Sequence, residues 1–383
     1  LIANALADTQ LTRNQEIDGM FFILKSISFD DDTGLYNAVS EVSTDYGETW
    51  GKLNVIDDDQ CTNDPDCHLH LFWLTEINGD GTLVTGPTSG ILMGIGNTGK
   101  TLSHKDDDYN TYLSKDGGLT WRKIFDTTSS FSFGNLGNII VSIPFPISFF
   151  RKPENLKLPS SFFYSLDQGE SWYEGDLGFS VFPKFILTSQ EGISQQFIVM
   201  GVHEDKKLGT SVFSIDFSKA FGRSCSDKDF EYWSLGSKNT EPVCVNGLRS
   251  KYKRRITNAD CFVSKEDSNI ISSETCECTI DDTECNSGFQ FNTESKECEP
   301  VYASLFEKYC ENNNNNKKKL KISSRIFKSS TTCSKSKDKN SYSLPSNDFE
   351  LDCSKNKQQT GSPSQPPPAS DGGLDIITTV SEF

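Results

Sequence analysis

Apolar positions along the chain gather into short runs rather than into helical stripes. Met20–Phe29, Ile91–Gly96, Asn138–Phe145, Ser161–Ser165, Gln196–Val202 and Ser211–Phe217 form such runs, parted by clusters of Gly, Pro, Asn and Asp. Runs of this length, with no amphipathic helix of useful length between them, predict strands. The 27 Phe residues point the same way, because aromatic side chains suit a pleated, half-buried surface. The most apolar stretch, Ile139–Phe150, spans 12 residues and carries Pro144 and Pro146. It is too short and too broken to cross a hydrocarbon core of about 30 Å.

A motif repeats between the runs. Ser43-Thr-Asp45-Tyr-Gly47-Glu-Thr-Trp50 returns as Ser114-Lys-Asp116-Gly-Gly118-Leu-Thr-Trp121 and again as Ser165-Leu-Asp167-Gln-Gly169-Glu-Ser-Trp172. The shared pattern, S-x-D-x-G-x-S/T-W, is an Asp box. Its carboxylate accepts hydrogen bonds from the turn's own amides, its glycine supplies positive φ, and its Trp packs the hairpin against a sheet. These residues are expected to fold hairpins and to catalyse nothing. The boxes lie 71 and 51 residues apart, spacings that suit units of four strands and hence propeller blades. Three boxes imply three to four blades. A partial ring leaves a strand edge open, which reads as a piece of a longer protein. The absence of an initiator Met, a signal peptide and a membrane span adds to that expectation.

Charge narrows the choice of partner. The formal net charge is -17; residues 1–222 hold 30 acids against 15 bases, whereas residues 310–357 hold 11 bases against 5 acids. An acidic body repels phosphate, so nucleic acid is not expected as a partner. Twelve cysteines change the picture further. Cys61 and Cys67 stand alone early; the other ten fall between Cys225 and Cys353. An even, dense set belongs to an oxidising compartment. Zinc is the competing chemistry, but Cys276 and Cys278 are separated by one residue and no matched pair of C-x-x-C motifs occurs. No N-x-S/T sequon is present.

Asp boxes alone do not choose among sialidases, other glycan-active propellers and sorting receptors. The segment after the first box does. Cys61-Thr-Asn-Asp-Pro-Asp-Cys67-His68-Leu69-His70 is similar to a small disulfide loop and following strand of the sortilin family. Gly94-Ile-Gly96-Asn97-Thr-Gly99 resembles that family's glycine-rich turn, and Phe133-Gly134 through Val141 resembles one of its strands. Cys225, Asp229, Trp233, Cys244, Gly247, Tyr252, Arg254, Arg255, Ala259 and Cys261 follow its ten-cysteine module in order, as does Cys276 through Phe289. The resemblance covers about residues 35–355 and is specific to the vacuolar protein-sorting receptor branch.

The resemblance implies an all-β fold: the last blades of a ten-bladed propeller over 1–222, a ten-cysteine module over 223–355, and a linker with the start of an unseen segment over 356–383. If the family's pairing carries over, the disulfides are Cys225–Cys261, Cys244–Cys276, Cys278–Cys333, Cys285–Cys298, Cys310–Cys353 and Cys61–Cys67. It implies a lumenal receptor ectodomain on the Golgi, endosome or vacuolar pathway, anchored by a segment outside this chain. Its partners are protein or peptide cargo such as vacuolar hydrolases, with no cofactor, no metal and no catalytic residue. No ligand-binding residue transfers, because the family's peptide contacts lie mainly on blades outside this chain. The insert Asn312–Asn316 with Lys317–Lys319 departs from the family and reads as a solvated loop.

Two other function classes compete. A sialidase needs an arginine cluster with Tyr and Glu, and residues 1–222 contain Arg13, Arg122 and Arg151 alone, with Arg122 beside the box residue Trp121. A non-catalytic glycan-binding propeller requires exposed aromatics on its face. His68 and His70 alternate and therefore share one side of a strand. They read as a packed pair, with metal binding or acid sensing near the ordinary His pKa of about 6.5 as alternatives. Trp73 and Trp233 read as packing aromatics, and Arg254 and Arg255 as partners of local acids such as Asp260 or as solvated side chains.

Overall fold

Each apolar run becomes a strand of a small sheet, five of them inside the sheet order and Ser211–Phe217 at its end. The computed structural model describes residues 10–353 except 15–16, 18, 32–34, 48, 59–60, 62–63, 73–83, 86–89, 147–157, 190–191, 204–208, 237–243, 246, 265–270, 293, 312–318, 330 and 335–347. Trp73, residues 312–318 of the insert and the tail 356–383 therefore lie outside the described residues.

The first sheet joins β1 (Gln10–Arg13), β2 (Phe21–Asp30), β3 (Leu35–Ser43) and β4 (Gly51–Lys52) in chain order, antiparallel throughout. Alternation along β2 buries Phe22 and Leu24 on one face and leaves Phe21 and Ile23 half-buried on the other. The second sheet takes β5 (Asn54–Val55), β6 (His68–Leu71), β7 (Val84–Thr85), β8 (Leu92–Gly99), β9 (Asn110–Ser114) and β10 (Thr120–Phe125). Its order is β5-β10-β9-β8-β6, with β7 also on β8. The third holds β11 (Ser129–Gly134), β12 (Ile139–Pro144), β13 (Ser161–Ser165) and β14 (Tyr173–Asp176) in order. The fourth holds β15 (Val181–Leu187), β16 (Gln196–His203) and β17 (Thr210–Asp216).

These four meander sheets are the propeller blades that the box spacing predicts. One buried cluster runs through the first three, with Phe22, Leu69, Leu92, Tyr112, Trp121, Phe131 and Ile140 among its members. A second cluster joins the third sheet to the fourth through Ile139, Val141, Ile143, Ile186, Phe197 and Val199. Sheet faces pack on sheet faces, which is how a four-stranded blade with two apolar sides becomes stable.

The chain divides into two compact units, residues 1–245 with 249–273, and residues 246–248 with 274–383. Residues 223–245 and 249–273, expected to open the cysteine module, thus fold within the same unit as the blades. They carry β18 (Phe230–Trp233) and β19 (Leu248–Arg255), which pair antiparallel with Trp233 opposite Tyr252 and form a sheet with β20 (Ile271–Thr275). Cys225 is bonded to Cys261, with Cα atoms 4.9 Å apart. Asp229 receives both terminal nitrogens of Arg223, at 2.7 and 2.9 Å, and this fork holds its carboxyl far below the usual range.

The second unit is built from β21 (Thr283–Cys285), β22 (Phe289–Asn292), β23 (Glu297–Pro300), the short helix α1 (Tyr302–Leu305), β24 (Lys319–Ser323), β25 (Arg325–Phe327) and β26 (Asp348–Asp352). Among the described residues its strands pair in twos: β21 with β25, β22 with β23, and β24 with β26. Two-stranded ribbons are marginal alone. Here Cys285–Cys298 and Cys310–Cys353 join a small cluster of Phe289, Leu305, Ile322 and Leu351, and Cys278–Cys333 is a further bond of the unit. Cys244 and Cys276 are also in disulfides, and no cysteine of the chain is free.

Candidate functional site

Each box occupies the same place: its Ser ends the third strand of a sheet, and its Trp stands at the start of the fourth strand or just before it. In the second box, the Ser114 hydroxyl donates to Asp116 Oδ1 at 2.9 Å and accepts the Gly118 amide at 2.8 Å. Asp116 then accepts the Thr120 amide at 2.9 Å, and Trp121 Nε1 donates to the Gly118 carbonyl at 2.8 Å. The first box repeats the pattern with Ser43, Asp45, Gly47, Thr49 and Trp50, and the third with Ser165, Asp167, Gly169, Ser171 and Trp172. Burial alone would raise the Asp167 carboxyl. The Ser171 amide and the Ser165 and Ser171 hydroxyls outweigh it, so the group sits below its ordinary value. All three carboxylates are spent on their own turns.

The boxes also mate with the sheet before them. Trp121 is fully buried and meets Phe22 edge to face at 6.4 Å. A Cβ on Gly118, at φ +92°, would fall 2.5 Å from Phe22; one on Gly169 would fall 2.4 Å from Leu113. Positive φ and lack of space together require glycine here.

The loop closed by Cys61–Cys67, with Cα atoms 5.1 Å apart, feeds directly into β6. His68 and His70 lie on one side of that strand with ring centroids 4.3 Å apart. His68 Nδ1 meets the Asp66 carbonyl at 2.9 Å. His70 bridges two sheets. Its Nδ1 accepts the Ser40 amide of β3 at 3.2 Å, and its Nε2 donates to the Gly99 carbonyl of β8 at 3.0 Å. The Ser40 hydroxyl in turn accepts the Leu71 amide at 2.9 Å. An amide donor on Nδ1 fixes the neutral tautomer, because a charged ring has no acceptor there. Burial, then the His68 charge, lowers the His70 pKa to about 4; burial also lowers that of His68. Lys52 disfavours charge on both rings, while Glu41 and Asp66 favour it on His68. At pH 5 His70 is therefore still neutral, and acid sensing by this ring falls below that pH. Among the described residues no group of three or more His, Cys, Asp or Glu stands within reach of a common metal ion.

The expectation of an acidic partner holds for Arg254 and needs correction for Arg255. Arg254 pairs with Glu231 rather than Asp260, and Arg255 bonds to backbone carbonyls with no carboxylate in direct contact. Trp233 is a packing aromatic, 3% exposed. Sequence reasoning also passed over Ser40 and Gln168, whose partners are distant in the chain.

Box-closed blade sheets followed by a fully oxidised cysteine-rich segment define an Asp-box propeller piece joined to a disulfide-built module. The family model described as sortilin, neurotensin receptor 3, matches residues 3–186, and the model of its C-terminal part matches residues 188–349. The chain belongs to the sortilin family. It is 41% identical over 260 residues to a protein of Candida dubliniensis named vacuolar protein sorting/targeting protein 10, covering 66% of this chain and 16% of that one. A protein of the same name from Komagataella phaffii is 33% identical over 375 residues, covering 94% of this chain and 23% of that one. The chain thus spans about a quarter or less of the length of these relatives. A solved protein of unknown function from Dyadobacter fermentans overlays with a TM-score of 0.31 at 14% identity over 69% of this chain and 75% of that one, too little to carry an argument.

Proposed function

We propose that this chain is part of the lumenal ectodomain of a type I sorting receptor. The receptor binds protein or peptide cargo, soluble vacuolar or lysosomal hydrolases, and carries it from Golgi to endosome. The observation that carries this reading is the family match over residues 3–349, with relatives named for vacuolar sorting and targeting. Oxidation of all twelve cysteines supports a lumenal setting, since such bonds persist on the oxidising side of a membrane. The Asp-box carboxylates are held by their own turns, which favours a binding role over hydrolysis.

The test is deletion of the gene in its host, followed by assay of vacuolar hydrolases in the medium. Secretion of hydrolase precursors, reversed by the full-length receptor, is the expected result. Normal retention of every soluble hydrolase would remove the proposal.

A further inference from the structure

β19 ends in Lys253-Arg254-Arg255. Successive residues of a strand face opposite sides, so the two arginines point apart. Arg254 lies over the Trp233 ring at 5.3 Å. Its Nε donates to Glu231 at 2.8 Å and its Nη1 to the Lys115 carbonyl at 3.0 Å. Arg255 lies over the Phe221 ring at 5.1 Å. Its Nη1 donates to the Cys261 carbonyl at 2.7 Å and its Nη2 to the Leu166 carbonyl at 2.5 Å. Lys115 and Leu166 hold the same place in two successive Asp boxes: each is the residue between the Ser and the Asp.

The grip is returned from the boxes. Gln168, at the fourth place of the third box, donates to the Arg255 carbonyl at 2.7 Å and to Asn138 at 2.9 Å. Thr257 donates to Gln168 at 3.3 Å and accepts from Lys115 Nζ at 3.3 Å. Lys115 also pairs with Glu170 of the third box at 2.7 Å, and Arg122 donates to the Gly169 carbonyl at 3.0 Å. Trp233 and Leu235 fill the space against Gly90 and Gly117 so closely that a Cβ would lie 2.7 and 2.8 Å from them. Arg254 and Arg255 are 5% and 1% exposed. The Nη donors of Arg255 and the Nε and Nη1 donors of Arg254 offset part of the cost of burial this deep, while Arg255 Nε has no hydrogen-bond partner.

We infer that β19 is a wedge seated between the second and third Asp-box turns, with Arg254 gripping one turn and Arg255 the other. The carbonyl of the residue after the box Ser is the socket, and the partner it takes is a guanidinium from the cysteine-bearing segment of the same chain. The boxes thereby hold two neighbouring blades at a fixed spacing, a task separate from closing their own hairpins.

Arg254→Lys and Arg255→Lys test this, since lysine keeps the charge but lacks the planar fork. Amide exchange is read by mass spectrometry on the secreted, disulfide-intact protein. Arg254→Lys is expected to speed exchange in the second box, at Gly117 and Gly118, by about tenfold or more, the size of one lost charge-assisted bond. Arg255→Lys is expected to do the same in the third box, at Gln168 and Gly169. The first box, at Gly47 and Thr49, stays as in the parent and reports that the fold is intact. In the double variant trypsin is expected to cut after residue 255, the pieces staying joined through Cys225–Cys261 until reduced. Unchanged exchange in both boxes, or equal acceleration in all three, would overturn the wedge.

Discussion

Gly118 shows what a single position carries in this fold. Its φ of +92° and the Phe22 ring atom 2.5 Å from any added Cβ act independently. Gly118→Ala is expected to destabilise the first unit by roughly 2–4 kcal/mol, backbone strain and overpacking together. Gly178 has a similar φ of +76° with nothing within 4 Å. Gly178→Ala should therefore cost only about 1–2 kcal/mol, the strain alone, and the difference between the two denaturation midpoints isolates the collision. His70 sets a pH dependence at the same scale. Its folded pKa of about 4 lies below the ordinary 6.5, so the unfolded chain takes the proton first. Stability is full above about pH 6.5 and falls as pH drops toward about 4, by on the order of 3 kcal/mol in total. His70→Gln is expected to flatten that slope, measured as urea midpoints at pH 7 and pH 4.5.

At the scale of elements, the sequence showed the strands that carry an apolar run and hid those that do not. All six apolar runs fall on strands: Ser161–Ser165 matches β13 end to end, and Met20–Phe29 matches β2 within one residue. β14, by contrast, is exposed at three of its four positions and carries no hydrophobic signal. The boxes were legible because their folding chemistry is local, each bond closing within four residues. The arginine contacts were not, because their partners are backbone carbonyls 139 and 89 positions away, and a carbonyl leaves no trace in residue type. The same logic fixes what the disulfides do for the weakest elements. Removing Cys310–Cys353 by paired serine substitution is expected to cost roughly 2–4 kcal/mol. The loss should appear first as tryptic cleavage at Lys319 and Lys321 in β24, which among the described residues has β26 alone as a strand partner.

At the scale of the molecule, the two units rest on different physics. The first owns the two large buried clusters. The second owns one small cluster in which cysteines stand beside Phe289, Leu305, Ile322 and Leu351. Small cores need staples. Calorimetry under reducing conditions is therefore expected to abolish the transition of the second unit while lowering that of the first by only a few degrees. Equal loss of both would show that the disulfides, not the sheets, hold the first unit. The sequence placed the whole chain in its family through spacing of cysteines and boxes. Which residues belong to which unit was beyond it, because residues 223–245 and 249–273 are cysteine-bearing by composition yet fold with the blades.

The Asp box divides its letters between two kinds of information. Ser, Asp, Gly and Trp are spoken for inside the turn, so they spell the same word in all three boxes and say nothing of which blade each belongs to. Lys115 and Glu170 pair across two boxes, and Gln168 reaches Asn138 and Arg255, all from the letters the motif leaves free. Those free letters work as an address. A duplicated blade would inherit a folded turn at once, and its place in the ring would then be written one variable residue at a time, with no risk to the hairpin that carries it.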